Sequence, residues 1–236
     1  MSTKKTSQHK SKQKKDPFDN IDQELSKFEV FYQNNQKYIW AVIIGLVLII
    51  TLIWGYRKYI LIPKEREAIS QMSVAEQYFD ADSFKVALNG VDQYPGFLDI
   101  IQSYKGTKAA NLAQYYAGVC YAHLQQWNQA ISHLKKFKTD DIYLGSTKYG
   151  LMGDCYMQMN KVQKAVEAYK KSVEHYQNHL TTPIYLKKLG LIYESLHQWK
   201  KALDAYNQIY LKYPTSYEAR TIEKYIERVK LHMGQQ

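Results

Sequence analysis

The longest apolar segment of the chain lies near its N-terminus and predicts a membrane-spanning helix. Nineteen consecutive residues, 38–56, carry no charge, and eleven of them are Ile, Leu or Val. As an α-helix this stretch is about 28 Å long, close to the hydrocarbon thickness of a bilayer. Aromatic side chains that favour the membrane–water interface stand at both ends. We therefore predict a transmembrane helix over 38–56, with four interface anchors: Tyr38, Trp40, Trp54 and Tyr56.

A cleaved signal peptide is the main alternative for this segment. Its apolar core would have about 7–15 residues near the start of the chain and would end at small residues. Here the apolar run is longer, starts after residue 37, and continues into a Tyr-Arg-Lys-Tyr sequence. We therefore expect an uncleaved anchor.

Two segments precede the predicted span. Residues 1–17 contain six lysines and predict a disordered basic tail. Residues 18–36 predict an amphipathic juxtamembrane helix that ends at Asn34-Asn35, with apolar positions at helical spacing. Its polar face is mostly acidic, which favours a protein partner over anionic lipid; a solvated helix leading to the membrane is the alternative. The apolar positions are Phe18, Ile21, Leu25, Phe28 and Tyr32.

A repeat occupies most of the chain after the span. Three glycines, 35 and 37 residues apart, each precede an alanine by twelve residues, and a Leu or Tyr follows that alanine by four. This self-similarity predicts helical hairpins that can bury their apolar faces only by stacking on one another. The three sets are Gly118, Ala130 and Leu134; Gly153, Ala165 and Tyr169; and Gly190, Ala202 and Tyr206.

The predicted fold is all-α: one N-terminal transmembrane helix, then an α-solenoid over 64–234 closed by a C-terminal capping helix. We expect a degenerate unit at about 65–92, units at about 111–143, 146–178 and 183–214, and the capping helix at 216–233. Residues 88–107 predict a short helix in an inserted connection, with Thr107 capping the next helix. Thr215 and Glu218 have capping-box spacing before the last helix.

The repeat resembles the tetratricopeptide repeat (TPR). The third unit, from Leu189-Gly190 through Tyr193, Ala202 and Tyr206 to Pro214, follows the TPR pattern most closely, whereas the first two lack the final proline. The resemblance implies a groove lined by the first helix of each unit, which would bind protein. Carried over by register from each glycine, the groove residues would be Tyr115, Val119, His123, Gly150, Asp154, Gln158, Lys187, Leu191 and Glu194.

Composition and motifs give no support for catalysis. The formal net charge is +10, but much of the excess lies in the tail and the rest is mixed in sign, so we predict no nucleic-acid partner. Cys120 and Cys155 occupy the same register in neighbouring units, too far apart for a disulfide, and predict buried packing thiols. His175 and His179 lack the further ligands of a metal site. We therefore predict no enzyme, cofactor, metal site or small-molecule substrate.

A basic tail, one span and a short TPR array resemble the bacterial ancillary translocon subunits of the YfgM type, in versions from Bacteroidota. That resemblance implies a cytoplasmic-membrane protein with its N-terminus in the cytoplasm and its array in the periplasm. It also implies binding to the SecYEG translocon, to periplasmic chaperones and to unfolded clients. The charged flank after the span, which includes Arg57 and Lys58, favours the opposite orientation. The alternatives are therefore a cytoplasm-facing receptor or scaffold, and an envelope subunit with one fixed partner.

Overall fold

The computed structural model describes residues 19–234, with side chains from residue 29 onward, and divides the chain into two compact units at Tyr59. The predicted basic tail 1–17 lies outside the described residues. The described part is helical, with only an isolated bridge between Val91 and Tyr94. The predicted fold class, an apolar N-terminal helix and a TPR-like helical solenoid with a C-terminal helix, is confirmed.

The first unit consists of helix α1 (Asp19–Tyr56), followed by a π-helical turn (Arg57–Leu61). Its apolar window is long enough to cross a membrane and is 0% buried. The four predicted interface anchors are all exposed. The expected end of a first helix at Asn34-Asn35 is wrong, because α1 continues through both residues. The Asn35 side chain donates a hydrogen bond to the Phe31 carbonyl within the helix (2.9 Å), so it does not interrupt the backbone ladder.

The second unit is a stack of helical hairpins. Each pair of helices is joined by a tight turn that contains one residue with a positive φ, and each pair packs on the next. The pairs are α2 (Ile62–Asp80) with α3 (Phe84–Asn89), α5 (Lys108–His123) with α6 (Trp127–Lys136), α7 (Ile142–Gln158) with α8 (Val162–His175), and α9 (Thr182–Ser195) with α10 (Trp199–Lys212).

The connection between α3 and α5 contains helix α4 (Phe97–Ser103), as the sequence predicts. Phe97 and Ile100 are fully buried, so α4 contributes to the hydrophobic core. The Thr107 hydroxyl accepts a hydrogen bond from the Ala110 amide (3.0 Å), which confirms the predicted N-cap of α5.

Helix α11 (Ile222–Gly234) follows a 3-10 turn (Glu218–Thr221) and packs on α10. Ile222 and Val229 are fully buried against the last hairpin, α9 with α10, which closes the apolar end of the stack. The predicted capping box is wrong in its residues. The chain turns one position later, where the Ser216 hydroxyl accepts from the Ala219 amide (3.2 Å).

At the repeated glycines, the first helix of each unit packs directly against a side chain of the second helix. A Cβ atom on Gly153 would lie 2.5 Å from the Tyr169 ring, and one on Gly190 would lie 2.2 Å from the Tyr206 ring. Gly118 has the same relation to Leu134, at 2.6 Å. Real Cβ atoms do not make contacts this short, so a side chain at any of these positions would force its neighbour to shift.

Both cysteines are buried and unbonded, as the register predicts. Burial raises the pKa of the Cys120 thiol to about 12 and that of Cys155 to about 11, so both stay protonated at neutral pH. They behave as small apolar side chains in the core.

Candidate functional site

The first helices of the three regular hairpins, α5, α7 and α9, carry all nine predicted groove residues. We call the surface of these helices the A-helix face. The side chains at the nine positions differ in what they touch, and only some are open to a partner.

In the first regular unit, the predicted residues are largely engaged within the protein. The Tyr115 hydroxyl donates to the Thr147 hydroxyl of α7 (3.2 Å), so it joins neighbouring units. The His123 ring is exposed but stacks on Phe84 of α3, with the ring centres 4.0 Å apart. Val119 is half-buried.

In the second unit, two of the three predicted residues are engaged by other side chains of the stack. Gly150 is buried directly beneath Tyr185, whose ring fills the space that any side chain at 150 would need. The Asp154 carboxylate accepts a hydrogen bond from the Tyr169 hydroxyl (2.6 Å) and is paired with the Lys188 ammonium. Gln158 is exposed.

In the third unit, helix α11 engages the A-helix face. The Arg228 guanidinium of α11 donates two hydrogen bonds to the Glu194 carboxylate, at 2.7 and 2.9 Å, and the Tyr206 hydroxyl donates a third. The Glu194 side chain is 13% exposed. The Lys187 ammonium lies 5.1 Å from the centre of the Tyr225 ring, while Leu191 is 43% exposed.

The second and third units therefore share a hydrogen-bonded set of a tyrosine, a carboxylate and a cation, which was not predicted from the sequence. A buried Tyr of the second helix donates to a carboxylate of the first helix, and a cation from the next element completes the set. Burial and then the hydrogen bond to the carboxylate raise the pKa of Tyr169, and the same causes raise that of Tyr206. Both hydroxyls stay protonated and keep donating. The sequence did contain a signal for this arrangement: in both units a Tyr follows the repeated glycine by sixteen residues, and an acidic residue lies on the first helix.

One lysine of this region is buried without a carboxylate. The Lys148 ammonium donates to the Phe137 carbonyl at the end of α6 (2.6 Å), and burial lowers its pKa. A cation beside the carbonyl end of a helix is favourably placed, so Lys148 stabilises the junction between the first two regular units.

Two shallow crevices open between consecutive units, and both involve second helices. One, of about 280 Å³, lies against α7 and α8, and the other, of about 250 Å³, lies between α8, α9 and α10. Within residues 29–234, whose side chains are described, no three His, Cys, Asp or Glu residues come together as a metal site would require. His179 instead packs edge-on to Tyr213, with ring centres 5.6 Å apart.

Comparison with known proteins agrees with the hairpin geometry. Family profiles described as tetratricopeptide repeat match residues 112–141 and 144–210. An uncharacterised protein of Guillardia theta, ycf37, is 32% identical over 120 residues; the match covers 49% of this chain and 65% of the relative, less than two thirds of its length. The chain thus carries tetratricopeptide repeats, and such repeats are protein–protein interaction modules.

Two groups of solved structures share the fold. A crystal structure of MamA protein has a TM-score of 0.50 at 18% identity and covers 71% of this chain and 88% of that one. A putative kinesin light chain of Podosopora anserina, with nearly identical TPR-like repeats, has a TM-score of 0.52 at 14% identity and covers 73% and 89%. At these identities the likeness concerns the fold alone.

Proposed function

We propose that this protein is a membrane-anchored TPR module that binds proteins at the exit of the Sec translocon and links the translocon to periplasmic chaperones. In this role α1 spans the bacterial cytoplasmic membrane, the N-terminus is cytoplasmic and the hairpin stack is periplasmic. The protein catalyses no reaction.

The observation that carries the proposal is the order of elements along the chain. An exposed apolar helix is followed, after five residues, by a stack of TPR hairpins. A docking surface held at a membrane raises the effective concentration of weak contacts for any polypeptide that emerges nearby. The sequence resemblance to YfgM-type subunits adds the translocon and the chaperones as partners.

The binding surface in this proposal is the open part of the A-helix face. Asp154 and Glu194 are engaged in ion pairs within the protein, and Gly150 is covered. The exposed residues His123, Gln158 and Leu191 and the half-buried Val119 and Lys187 remain for a partner. A mixed surface with apolar side chains and a single cation suits extended or partly unfolded polypeptide, because few fixed charges restrict the sequence that binds.

Topology is the first test. Protease is added to intact spheroplasts that express the full chain with a C-terminal tag, and the same is done after lysis. Loss of the tag in intact spheroplasts supports a periplasmic array. Protection until lysis refutes the proposal in its present form and favours the cytoplasm-facing receptor, which the cations at Arg57 and Lys58 support.

Site-specific crosslinking is the second test. A photoreactive amino acid is placed at Leu191 or Gln158 on the A-helix face and, as matched controls, at Lys164 or Lys200 on exposed positions of second helices. Crosslinks to translocon subunits, chaperones and several secreted proteins, at the first two positions only, support the proposal. A single stoichiometric partner at these positions favours an envelope subunit with one fixed partner instead.

A further inference from the structure

The hairpin stack has two opposite edges, and hydrogen bonds between units identify which chain segments share an edge. The Glu65 carboxylate near the start of α2 accepts from the amides of Lys108 and Ala109 at the start of α5 (2.6 and 2.9 Å). The Asn111 side chain, in the first turn of α5, bonds the backbone of Lys138 just before α7. The first helices of these units therefore begin at the same edge.

The same edge continues through the later units. The Ser146 hydroxyl, near the start of α7, bonds the Thr181 hydroxyl just before α9 (2.5 Å). The Gln177 amide in that connection donates to the Tyr213 hydroxyl at the end of α10 (2.7 Å). We call this side the connection edge: the start of α2 and the segments that join one unit to the next, 104–108, 137–143, 176–182 and 210–221.

The connection edge exposes several large apolar side chains, whereas at the opposite edge Leu231 of α11, 67% exposed and next to His232, which stacks on Trp199, is such a residue. Leu180 is 67% exposed, Leu211 72% and Tyr217 74%, while Ile142 and Tyr143 are about half exposed. The opposite edge consists of the tight turns 81–83, 124–126, 159–161 and 196–198. None of the highly exposed large apolar residues lies in those turns, all of which belong to the described part of the chain.

The chain itself enters the stack at the connection edge. The start of α2 at Ile62 is six residues beyond Tyr56, the last residue of the predicted span. Six steps of chain reach about 9 Å as a helix and at most about 21 Å when extended. One corner of the connection edge is therefore tied to the membrane surface wherever the span ends at Tyr56.

We infer that the connection edge rests in the interfacial layer of the membrane, with Leu180, Leu211 and Tyr217 as its inserted side chains. Tyr is enriched at membrane–water interfaces, and apolar side chains held there enter the boundary between headgroups and acyl chains. The joining segments of this edge carry five basic residues (Lys105, Lys108, Lys138, Lys212 and Arg220) and three acidic ones (Asp140, Asp141 and Glu218), a small net charge of +2, so the inference depends on the apolar side chains. Docking should therefore persist on zwitterionic lipid. The inference rests on the membrane anchor of the proposed function, but not on its partners.

The test uses the full chain in lipid nanodiscs that hold one copy each, because one copy per disc excludes contact between copies. A fluorophore is attached to a cysteine introduced as Leu211→Cys or Tyr217→Cys and, as matched controls on the opposite edge, as Gln126→Cys or Lys161→Cys. The native cysteines are buried, and the unsubstituted chain measures their background. The quencher is a spin label at the headgroup depth of zwitterionic lipid.

Quenching at positions 211 and 217 at least about twofold stronger than at 126 and 161 is the expected result, since the inserted edge would lie about 5–10 Å deep in the interface. Equal quenching at the two edges overturns the inference. The inference is also overturned if positions 211 and 217 are shielded from the quencher only when a disc holds two copies, because the edge would then be an interface between copies. If the chain does not insert into nanodiscs at all, the membrane anchor is absent, and this outcome refutes the proposed function.

A second variant separates insertion from folding. The double change Leu180→Glu and Leu211→Glu places charge on two exposed side chains, so the helical content measured by circular dichroism should not change. Quenching of the probe at position 217 should fall to the level of the opposite edge. The control change Lys161→Glu, which alters the opposite edge, should leave that quenching unaltered. Persistent quenching in the double variant refutes insertion through these side chains.

Discussion

Replacing Gly190 with alanine tests how closely the helices of the last hairpin, α9 and α10, pack. The new Cβ would lie 2.2 Å from Cε1 of Tyr206, whereas ordinary contact starts near 3.4 Å, so the ring must move by about 1.2 Å. The ring is 0% exposed and its hydroxyl is bonded to Glu194, so it has little room to move. Overpacking of this kind costs about 2–3 kcal/mol, at the upper end of its usual range.

Helix propensity works in the opposite direction, because alanine favours a helix over glycine by about 1 kcal/mol. We therefore expect Gly190→Ala to destabilise the protein by about 1–2 kcal/mol. In a Tyr206→Ala background the obstacle is absent, and the same change should stabilise the protein by about 1 kcal/mol. The sign of the effect thus reverses between the two backgrounds.

The assay is guanidinium unfolding of the full chain in detergent, followed by far-UV circular dichroism. Hydrogen exchange in α9 and α10 provides a local reading, because repeat arrays do not always unfold in one cooperative step. If Gly190→Ala stabilises the protein equally in both backgrounds, helix propensity alone governs this position and the packing argument is refuted.

Three further predictions concern single side chains. Arg228→Met removes two hydrogen bonds to a mostly buried carboxylate and should destabilise α11 by about 1–2 kcal/mol, seen as faster hydrogen exchange in that helix; Lys224→Met, on the exposed side of the same helix, should have little effect. Burial lowers the pKa of Lys148 below 10.5, so the unfolded chain holds that proton more tightly. The stability of the wild type relative to Lys148→Met should therefore rise as the pH increases toward 10.5; a flat difference in unfolding experiments across that range would contradict the buried cation. Cys120 and Cys155 should resist maleimide near neutral pH until the chain unfolds, because burial raises the pKa of both thiols to about 12 and about 11; rapid labelling of the folded chain would show that they are accessible.

Local signals in the sequence were sufficient for most of the secondary structure. The N-cap at Thr107, the helix within the insertion and the glycine at each helix crossing follow from contacts between residues close along the chain or at a fixed repeat spacing. The break expected at Asn34-Asn35 failed because a helix-weakening residue does not end a helix whose backbone hydrogen bonds remain intact. The last cap moved from Thr215 to Ser216, and such one-residue shifts are common at helix ends.

The binding surface was harder to predict, because register specifies which side of a helix a residue occupies but not what covers it. Asp154 and Glu194 lie on the expected helices, yet their carboxylates are neutralised by cations 34 residues further along the chain. Gly150 is covered by Tyr185 of the next unit. These contacts join separate elements of the stack, so the cations and Tyr185 have no signal in the sequence immediately around Asp154, Glu194 or Gly150.

By itself, the sequence determined that this chain has an apolar helix long enough for a bilayer and a stack of repeated hairpins, since hydrophobic runs and fixed spacings are properties of the chain alone. Only the tertiary structure decided which polar groups are paired between units and which apolar side chains remain exposed to solvent. Both outcomes depend on neighbours brought together by stacking, and burial exists only once those neighbours are in place.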